Sequence, residues 1–299
     1  MSLLIVGSIA FDTIETPYER RERIVGGSGT YCALAASFFT RPMLSGVVGE
    51  DFPREIIAFF QNRGIQTEGV LIRPGKTFFW EGKYGYDPNQ RETLRTELNV
   101  MAEFIPSLPE SYQQATIVYL ATIDPDWHEA ILNQVKRPKI VAMDTIQFWV
   151  THKTESLWQS LKKVNIFFAN DEEIRLLTRE VNLVRAGKKV LEAGPSLVIV
   201  KKGEHGALVF GRDFIFGTLA HPCEEVVDPT GAGDSFAGGF LGYFDRAKKI
   251  SPRTIKKAVV AGSAVASFVI EDFGIDRLRR LTPEEIRQRM RFFHHLVSF

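Results

Sequence analysis

The sequence predicts an α/β fold: a doubly wound, mostly parallel sheet flanked by helices, with a small β-sheet lid. Three observations carry this. Short apolar runs rich in β-formers alternate with segments of helical period, the pattern of strand–helix–strand units. One stretch, residues 76–100, breaks that alternation with aromatic and threonine strand signals, Gly and Pro turns, and no helical period. Polar residues gather where the apolar runs end: Ser8 and Asp12 after the first, then Asp144, Asn170 and Lys201. Open α/β sheets bind ligands beyond the carboxyl ends of their strands, so this edge is a site hypothesis. Taken singly, each of these residues also reads as a helix cap or a turn residue.

In chain order, core strands are expected over 3–7, 43–48, 116–121, 139–143, 165–169 and 197–200. A late antiparallel hairpin is expected over 206–210 and 213–216, with Gly211 between its arms. Helices are expected over 30–39, 54–63, 127–135, 155–163, 171–178 and 183–193. Residues 235–244, small and apolar, have the composition of a buried helix. Two later helices announce their starts: Ser251-Pro252 sets a capping residue before proline, and Thr282-Pro283-Glu284-Glu285 adds a capping-box glutamate. Residues 13–24 are polar and strand-compatible and join 76–100 as the lid. A surface hairpin covering a sheet edge fits the same pattern. The chain reads as one domain over 1–299.

Composition narrows the function classes. The chain has 299 residues, 44% hydrophobic and 24% charged, with a formal net charge of +1. That balance gives no electrostatic argument for nucleic acid or an acidic membrane surface. Its two cysteines, Cys32 and Cys223, are too few for a disulfide framework, and a reducing, cytoplasmic setting is expected. The chain opens on the strand-like LLIVGS with no charged n-region, and no apolar run reaches membrane-spanning length. Walker A, GxGxxG, HExxH, paired CxxC and the HRD motif of protein kinases are all absent.

The most informative run is 226–243, VVDPTGAGDSFAGGFLGY. Asp228-Pro229-Thr230 is a stiff turn opener. Gly231-Ala232-Gly233 then turns the backbone into a helix start, whose unpaired amides and positive dipole end suit a phosphate. A carboxylate there, Asp234, makes sense if a hydroxyl must lose its proton while phosphoryl groups are held alongside.

DPTGAGDSFAGGF resembles the second signature of the ribokinase-like (PfkB) carbohydrate kinases. The resemblance implies that Gly231, Ala232 and Gly233 form an anion hole for the transferring phosphoryl group and that Asp234 is the base. It implies a monovalent cation such as K⁺ at Asp228. Gly26-Gly27-Ser28-Gly29 resembles the family's first signature, a glycine turn against which the acceptor packs, with Tyr31 standing where the family usually has asparagine. Asp12 matches the aspartate that grips acceptor hydroxyls, while Ala10 replaces the ribokinase-type asparagine, which argues against ribose itself. Asn170 and Glu173 fit the family's Asn-x-x-Glu motif and imply Mg²⁺ held through water. Asparagine capping a helix with acidic residues in its first turn fits them too. Lys201, with Gly203 and Gly206, resembles the nucleotide-binding strand and turn. Gly262, within the small-residue run 261–274, is implied near the adenine. The order of these motifs spans essentially the whole chain.

The expectation is an ATP- and Mg²⁺-dependent kinase acting on a hydroxyl of a small sugar or related polyol. A nucleoside kinase of the same fold is the alternative, because Phe78, Phe79, Trp80, Tyr84 and Tyr86 make the lid aromatic enough to stack on a base. A sugar-phosphate kinase and a catalytically inactive binding protein rank lower. In some relatives lid strands pair between subunits, so the resemblance also implies a possible homodimer.

Overall fold

The computed structural model describes residues 1–102, 106–247 and 250–296. Its strands are β1 (Leu3–Gly7), β2 (Ala10–Glu15), β3 (Arg20–Gly26), β4 (Met43–Gly49), β5 (Gln66–Arg73), β6 (Phe78–Tyr84), β7 (Arg91–Glu97), β8 (Ile117–Ala121), β9 (Ile140–Met143), β10 (Ile166–Asn170), β11 (Leu197–Lys201), β12 (Ala207–Gly211) and β13 (Ile215–Thr218). Among the described residues these make two sheets. The larger runs β13-β12-β11-β10-β9-β8-β1-β4-β5, and the smaller β3-β2-β6-β7.

From β11 to β5 the large sheet is parallel, and β12 and β13 close one edge as an antiparallel hairpin. Helices cover both faces, which is why its strands read as unbroken apolar runs. Alternate residues divide between two cores. Leu3 and Ile5 of β1, Tyr119 of β8 and Phe168 of β10 face one side, while Leu4 and Val6, Val118 and Phe167 face the other. The chain winds outward in both directions from β1, through β4 to β5 on one side and from β8 to β11 on the other. The switch point therefore lies at the carboxyl ends of β1 and β8.

On one face, helices Ser28–Ser37, Ala232–Ala247 and Pro252–Val269 pack almost backbone to backbone. A Cβ at Gly238 would lie 2.2 Å from the Cys32 carbonyl, one at Gly242 2.8 Å from the Ala36 Cα, and one at Gly262 2.5 Å from the Phe236 carbonyl. The small residues of 226–243 are thus explained by close helix packing. That helix starts earlier than its apolar run suggests, at Ala232.

The smaller sheet is the expected lid, built from longer pieces than 13–24 alone. Its register aligns Asp12 with Ile24 on β3 and with Trp80 on β6, and Trp80 with Thr96 on β7. Asp12 is therefore a strand residue of the lid itself, one row with Trp80.

Other departures are local. Edge strand β5 (QTEGVLIR) was not expected; it is half exposed and shows no clean alternation. The helices Gln147–His152 and Asp276–Arg280 are too short to leave a periodic signal. The helix expected over 127–135 is a 3₁₀ turn, Pro125–Trp127, followed by His128–Leu132.

The helix packing gives a stability test. Gly238→Ala forces a methyl against the Cys32 carbonyl and should cost about 1–3 kcal/mol. A urea titration should show a lower midpoint with an unchanged slope; an unchanged midpoint would mean that the helices are not held this close.

Candidate active site

The site begins where β1 ends. The Ser28 amide donates to the Ser8 hydroxyl at 2.9 Å, and the Ser28 hydroxyl donates to the Ala121 carbonyl at the end of β8, 3.0 Å away. Ser28 thus ties the switch point together. Its side chain faces inward and is committed, which leaves the glycine turn itself as the surface an acceptor would meet.

That turn cradles Asp12. A Cβ at Gly26 would sit 1.8 Å from Asp12 Oδ2, and Gly27, at φ +95°, donates its amide to the Asp12 carboxylate. Burial, reinforced by Asp228, pushes Asp12 up to about 8 despite that amide.

Asp228 is fully buried beside it. It accepts from the Thr230 amide at 2.8 Å and the Gly274 amide at 3.0 Å, closing the motif loop onto the turn after helix Pro252–Val269. Burial raises its pKa against those two donors.

Gly231 turns at φ +76° with the ring of Tyr31 directly beneath it, 2.4 Å from where a Cβ would be. Ala232 and Gly233 form the first turn of the helix, where amides lack intrahelical acceptors. The Ala232 amide leans on the Pro229 carbonyl at 3.3 Å. Asp234 follows, half-buried, in the helix N-terminal turn. Burial first and Asp144 second push it up to about 7, with Lys201 and Arg91 pulling the other way.

Lys201 lies closer to this centre than a nucleotide turn would require. Its Nζ is 2.5 Å from Asp144 Oδ2 and 3.1 Å from the Cβ position of Gly233. Burial disfavours its charge, yet Asp144 and Glu173 more than offset that and hold the ammonium charged. Asn170 and Glu173 form a reciprocal capping box at the start of helix Asp171–Thr178, each bond 2.7 Å. The helix-cap reading of this pair therefore holds, and it places a buried carboxylate, pushed by burial up to about 7, next to Lys201 and Asp144.

Gly203 and Gly206 form the turn after β11, at φ +53° and +80°. Asn89, from the loop joining β6 and β7, packs over Gly203, its Oδ1 2.0 Å from the Cβ position. Gly262 does not join them. Expected at the nucleotide, it is buried in the seam between helices Ala232–Ala247 and Pro252–Val269, where the Phe236 carbonyl leaves room only for glycine.

The smaller sheet meets this region at the motif loop and at the Gly203 turn. Tyr84 and Thr230 share a 3.0 Å hydrogen bond between their hydroxyls, so β6 is docked on the motif loop. Burial raises the Tyr84 phenol to about 12. Arg91 at the start of β7 hydrogen-bonds Tyr84 and acts electrostatically on Asp12, Asp234 and Glu173. Its guanidinium lies 5.2 Å from the Trp80 ring, and the six-membered ring of that indole packs on Gly82, where a Cβ would be 2.0 Å from it. Sequence reasoning missed Arg91. Within RETLRTE it is one charged residue among several, and it is the register of the sheet that sets it opposite Tyr84, exposed yet bonded to that phenol.

Among the described residues, no group of three His, Cys, Asp or Glu side chains is arranged to hold a metal directly, and no helix is long and apolar enough to cross a membrane. A phosphoryl group could sit on the amides beside Asp234 with Lys201 next to it, and a hydroxyl compound between Asp234 and Asp12.

Comparison with known proteins gives the family and the fold. Residues 2–278 match the pfkB family carbohydrate kinases. The chain is 29% identical over 282 residues to a cytidine kinase of Thermococcus kodakarensis, covering 92% of this chain and 98% of that protein. It is 28% identical over 288 residues to a nucleoside kinase of Methanothermobacter thermautotrophicus, covering 91% and 90%. Its fold matches the crystal structure of the Methanocaldococcus jannaschii nucleoside kinase, an archaeal member of the ribokinase family, with a TM-score of 0.77 at 21% identity, covering 98% and 99% of the two chains.

The Tyr84–Thr230 contact is testable by itself. Tyr84→Phe removes one buried hydrogen bond, a loss that should speed hydrogen exchange of the β6 amides by roughly 2- to 10-fold. Unchanged exchange would show that the lid is held by its apolar contacts alone.

Proposed function

The chain belongs to the pfkB family of carbohydrate kinases and is a phosphotransferase of the ribokinase fold; on that premise we propose that it transfers the γ-phosphoryl group of ATP to a hydroxyl of a nucleoside. The observation that carries the reading is the pairing of Asp234, at an amide-rich helix N-terminus, with the buried carboxylate of Asp12 held in the lid. Phosphoryl transfer asks little covalent work of a protein, so positioning and charge stabilisation dominate.

In this reading Asp234 accepts the proton of the acceptor hydroxyl, and the amides of Gly231, Ala232 and Gly233 stabilise charge on the transferred group. Lys201 and Arg91 flank that group from the sheet and from the lid. The Gly203–Gly206 turn takes the nucleotide. Mg²⁺, bound with ATP, supplies charge neutralisation on the phosphates, and Asn170 and Glu173 would hold it through water. A closed lid excludes the water that would otherwise hydrolyse ATP.

The sequence put a sugar ahead of a nucleoside, and two things now favour the reverse order. Trp80 lies in the same row as Asp12, its indole packed on Gly82. A carboxylate gripping ribose hydroxyls beside a flat aromatic surface suits a base attached to that ribose. The cytidine and nucleoside kinases among the relatives support the same choice.

A coupled ADP-release assay with Mg-ATP against nucleosides, sugars and sugar phosphates tests the acceptor class, and turnover of nucleosides above all others is expected. Asp234→Asn should lower kcat by roughly 10²–10⁴-fold, the span for one acid–base group, with thermal stability retained. Turnover near that of the unaltered enzyme would remove Asp234 from the mechanism. Asp234 works only when ionised, and its pKa is raised to about 7. Activity should therefore fall as pH drops through about 7 and level off above it. Lys201→Met removes a charge that lowers this pKa, so the limb should move to higher pH. Finally, nucleosides should quench Trp80 fluorescence, and Trp80→Phe should remove that response; a response surviving the substitution would place the base elsewhere.

A further inference from the structure

The mechanism above leaves one enclosed carboxylate without a part. Asp144 follows β9, and its side chain is fully buried. Three donors hold it: the Thr145 amide at 2.9 Å on Oδ1, and the Tyr119 hydroxyl at 3.3 Å and the Lys201 ammonium on Oδ2. Tyr119 lies on β8 and Lys201 ends β11, so the carboxylate is tied to strands on both sides of its own. It is a rigid anchor.

Its charge works against the chemistry around it. A carboxylate beside a phosphate site repels the phosphate. After burial, Asp144 is also the next cause of the raised pKa of Asp234. Stability does not account for it, because a buried ion pair seldom does better than an apolar pair of the same size. What the pair does is fix a mobile group, since lysine carries its charge on a flexible four-carbon stem. β10 lies between β9 and β11, so the bond to Asp144 draws the Lys201 head across the end of β10. There its Nζ is 3.1 Å from the Cβ position of Gly233, in the first turn of helix Ala232–Ala247. Glu173 and Asp234 act on Lys201 by charge, while Asp144 adds the hydrogen bond that sets a direction.

We propose that Asp144 is a positioning residue for phosphoryl transfer: it holds the Lys201 ammonium beside Gly233 in one orientation, which raises turnover and lowers affinity for ATP. The inference rests on the reading that transfer takes place at the amides of Gly231, Ala232 and Gly233. A charge already in place needs no reorganisation as charge develops on the transferred group. A released lysine would follow the phosphates of bound ATP, which improves ground-state binding and not transfer.

The test compares Asp144→Asn, Lys201→Met, their double variant and Lys201→Arg with the unaltered chain. It is run at pH 8, where Asp234, raised to about 7, is mostly ionised. The acceptor is the compound that the ADP-release assay turns over best, and binding of a non-hydrolysable ATP analogue with Mg²⁺ is followed by calorimetry. Asp144→Asn should lower kcat roughly 10-fold, within what misplacing one group can cost, and leave KM for the acceptor unchanged. It should bind the analogue roughly 2- to 10-fold more tightly, the split expected when ground-state binding gains and transfer loses. A merely structural role would not tighten binding. In the Lys201→Met background the same change should bring no further loss of kcat. Lys201→Arg keeps the charge and alters the head that Asp144 holds, so it should lose kcat without losing analogue affinity, even if Asp144→Asn folds poorly. Unchanged kcat in Asp144→Asn or in Lys201→Arg overturns the proposal. So does weaker analogue binding in Asp144→Asn, or a further full loss in the double variant. A loss of kcat in Lys201→Met and Asp234→Asn with none in Asp144→Asn strikes this inference alone. Normal turnover in both of those variants means that transfer does not occur at these amides, and the proposed site falls with it.

Discussion

The close approach of two helices governs this molecule. Helix Ala232–Ala247 can lie against helix Ser28–Ser37 only because Gly238 and Gly242 present no side chain to the Cys32 carbonyl and to Ala36. That approach brings the two glycine turns at their N-termini side by side. Gly231 comes to rest on the Tyr31 ring, and the carboxylates of Asp12, Asp228 and Asp234 gather in one region. Neither turn alone is a two-substrate site. Packing that approximates them is what sets the helix end at Ala232 and the Asp12 carboxylate close together, as the proposed function requires.

Crowding carboxylates in this way has an electrostatic consequence. Asp12, Asp228, Asp234 and Glu173 all have raised pKa values, with burial the leading cause in each case. Lys201 and Arg91 are the cations acting against this. Lys201 is already paired with Asp144, so its charge is partly spent before a ligand arrives. The unliganded protein therefore carries a destabilised site, a common stability–activity trade-off. Under the proposed function the raised pKa of Asp234 suits the chemistry, because a base near neutrality is matched to accepting a proton at working pH.

The lid reaches both halves of the cleft. Asp12 and Trp80 share one row beside the acceptor turn, Tyr84 bonds the motif loop, Arg91 reaches the carboxylates around Asp234, and Asn89 covers the Gly203 turn. One small sheet thereby carries Asp12 and meets both the motif loop and the Gly203 turn. Its position is set by apolar contacts as well, with Phe11 and Phe79 packed on the main core and Ile14 and Tyr84 on Phe273.

Most strands of the main sheet were legible because a strand buried on both faces must be apolar throughout, and such runs stand out. Edge strand β5 and the short helices lacked that signal. Chemistry was legible where it depends on local backbone geometry. Gly26-Gly27 and DPTGAGD write a turn, a helix start and a carboxylate into adjacent residues, and the structure has Gly27 and Gly231 at positive φ with a helix from Ala232. What only the tertiary structure decided is which distant groups meet them. Gly262 reads like a nucleotide-site glycine and proves to be a helix spacer. Asn170 and Glu173 are bound first to each other. Arg91, Tyr84 and Asn89 enter the site through strand register, and the pairing of Lys201 with Asp144 is visible only once the strands are in place. Local sequence specifies backbone turns through short-range sterics. Side-chain company is fixed by long-range packing, which no stretch of sequence records by itself.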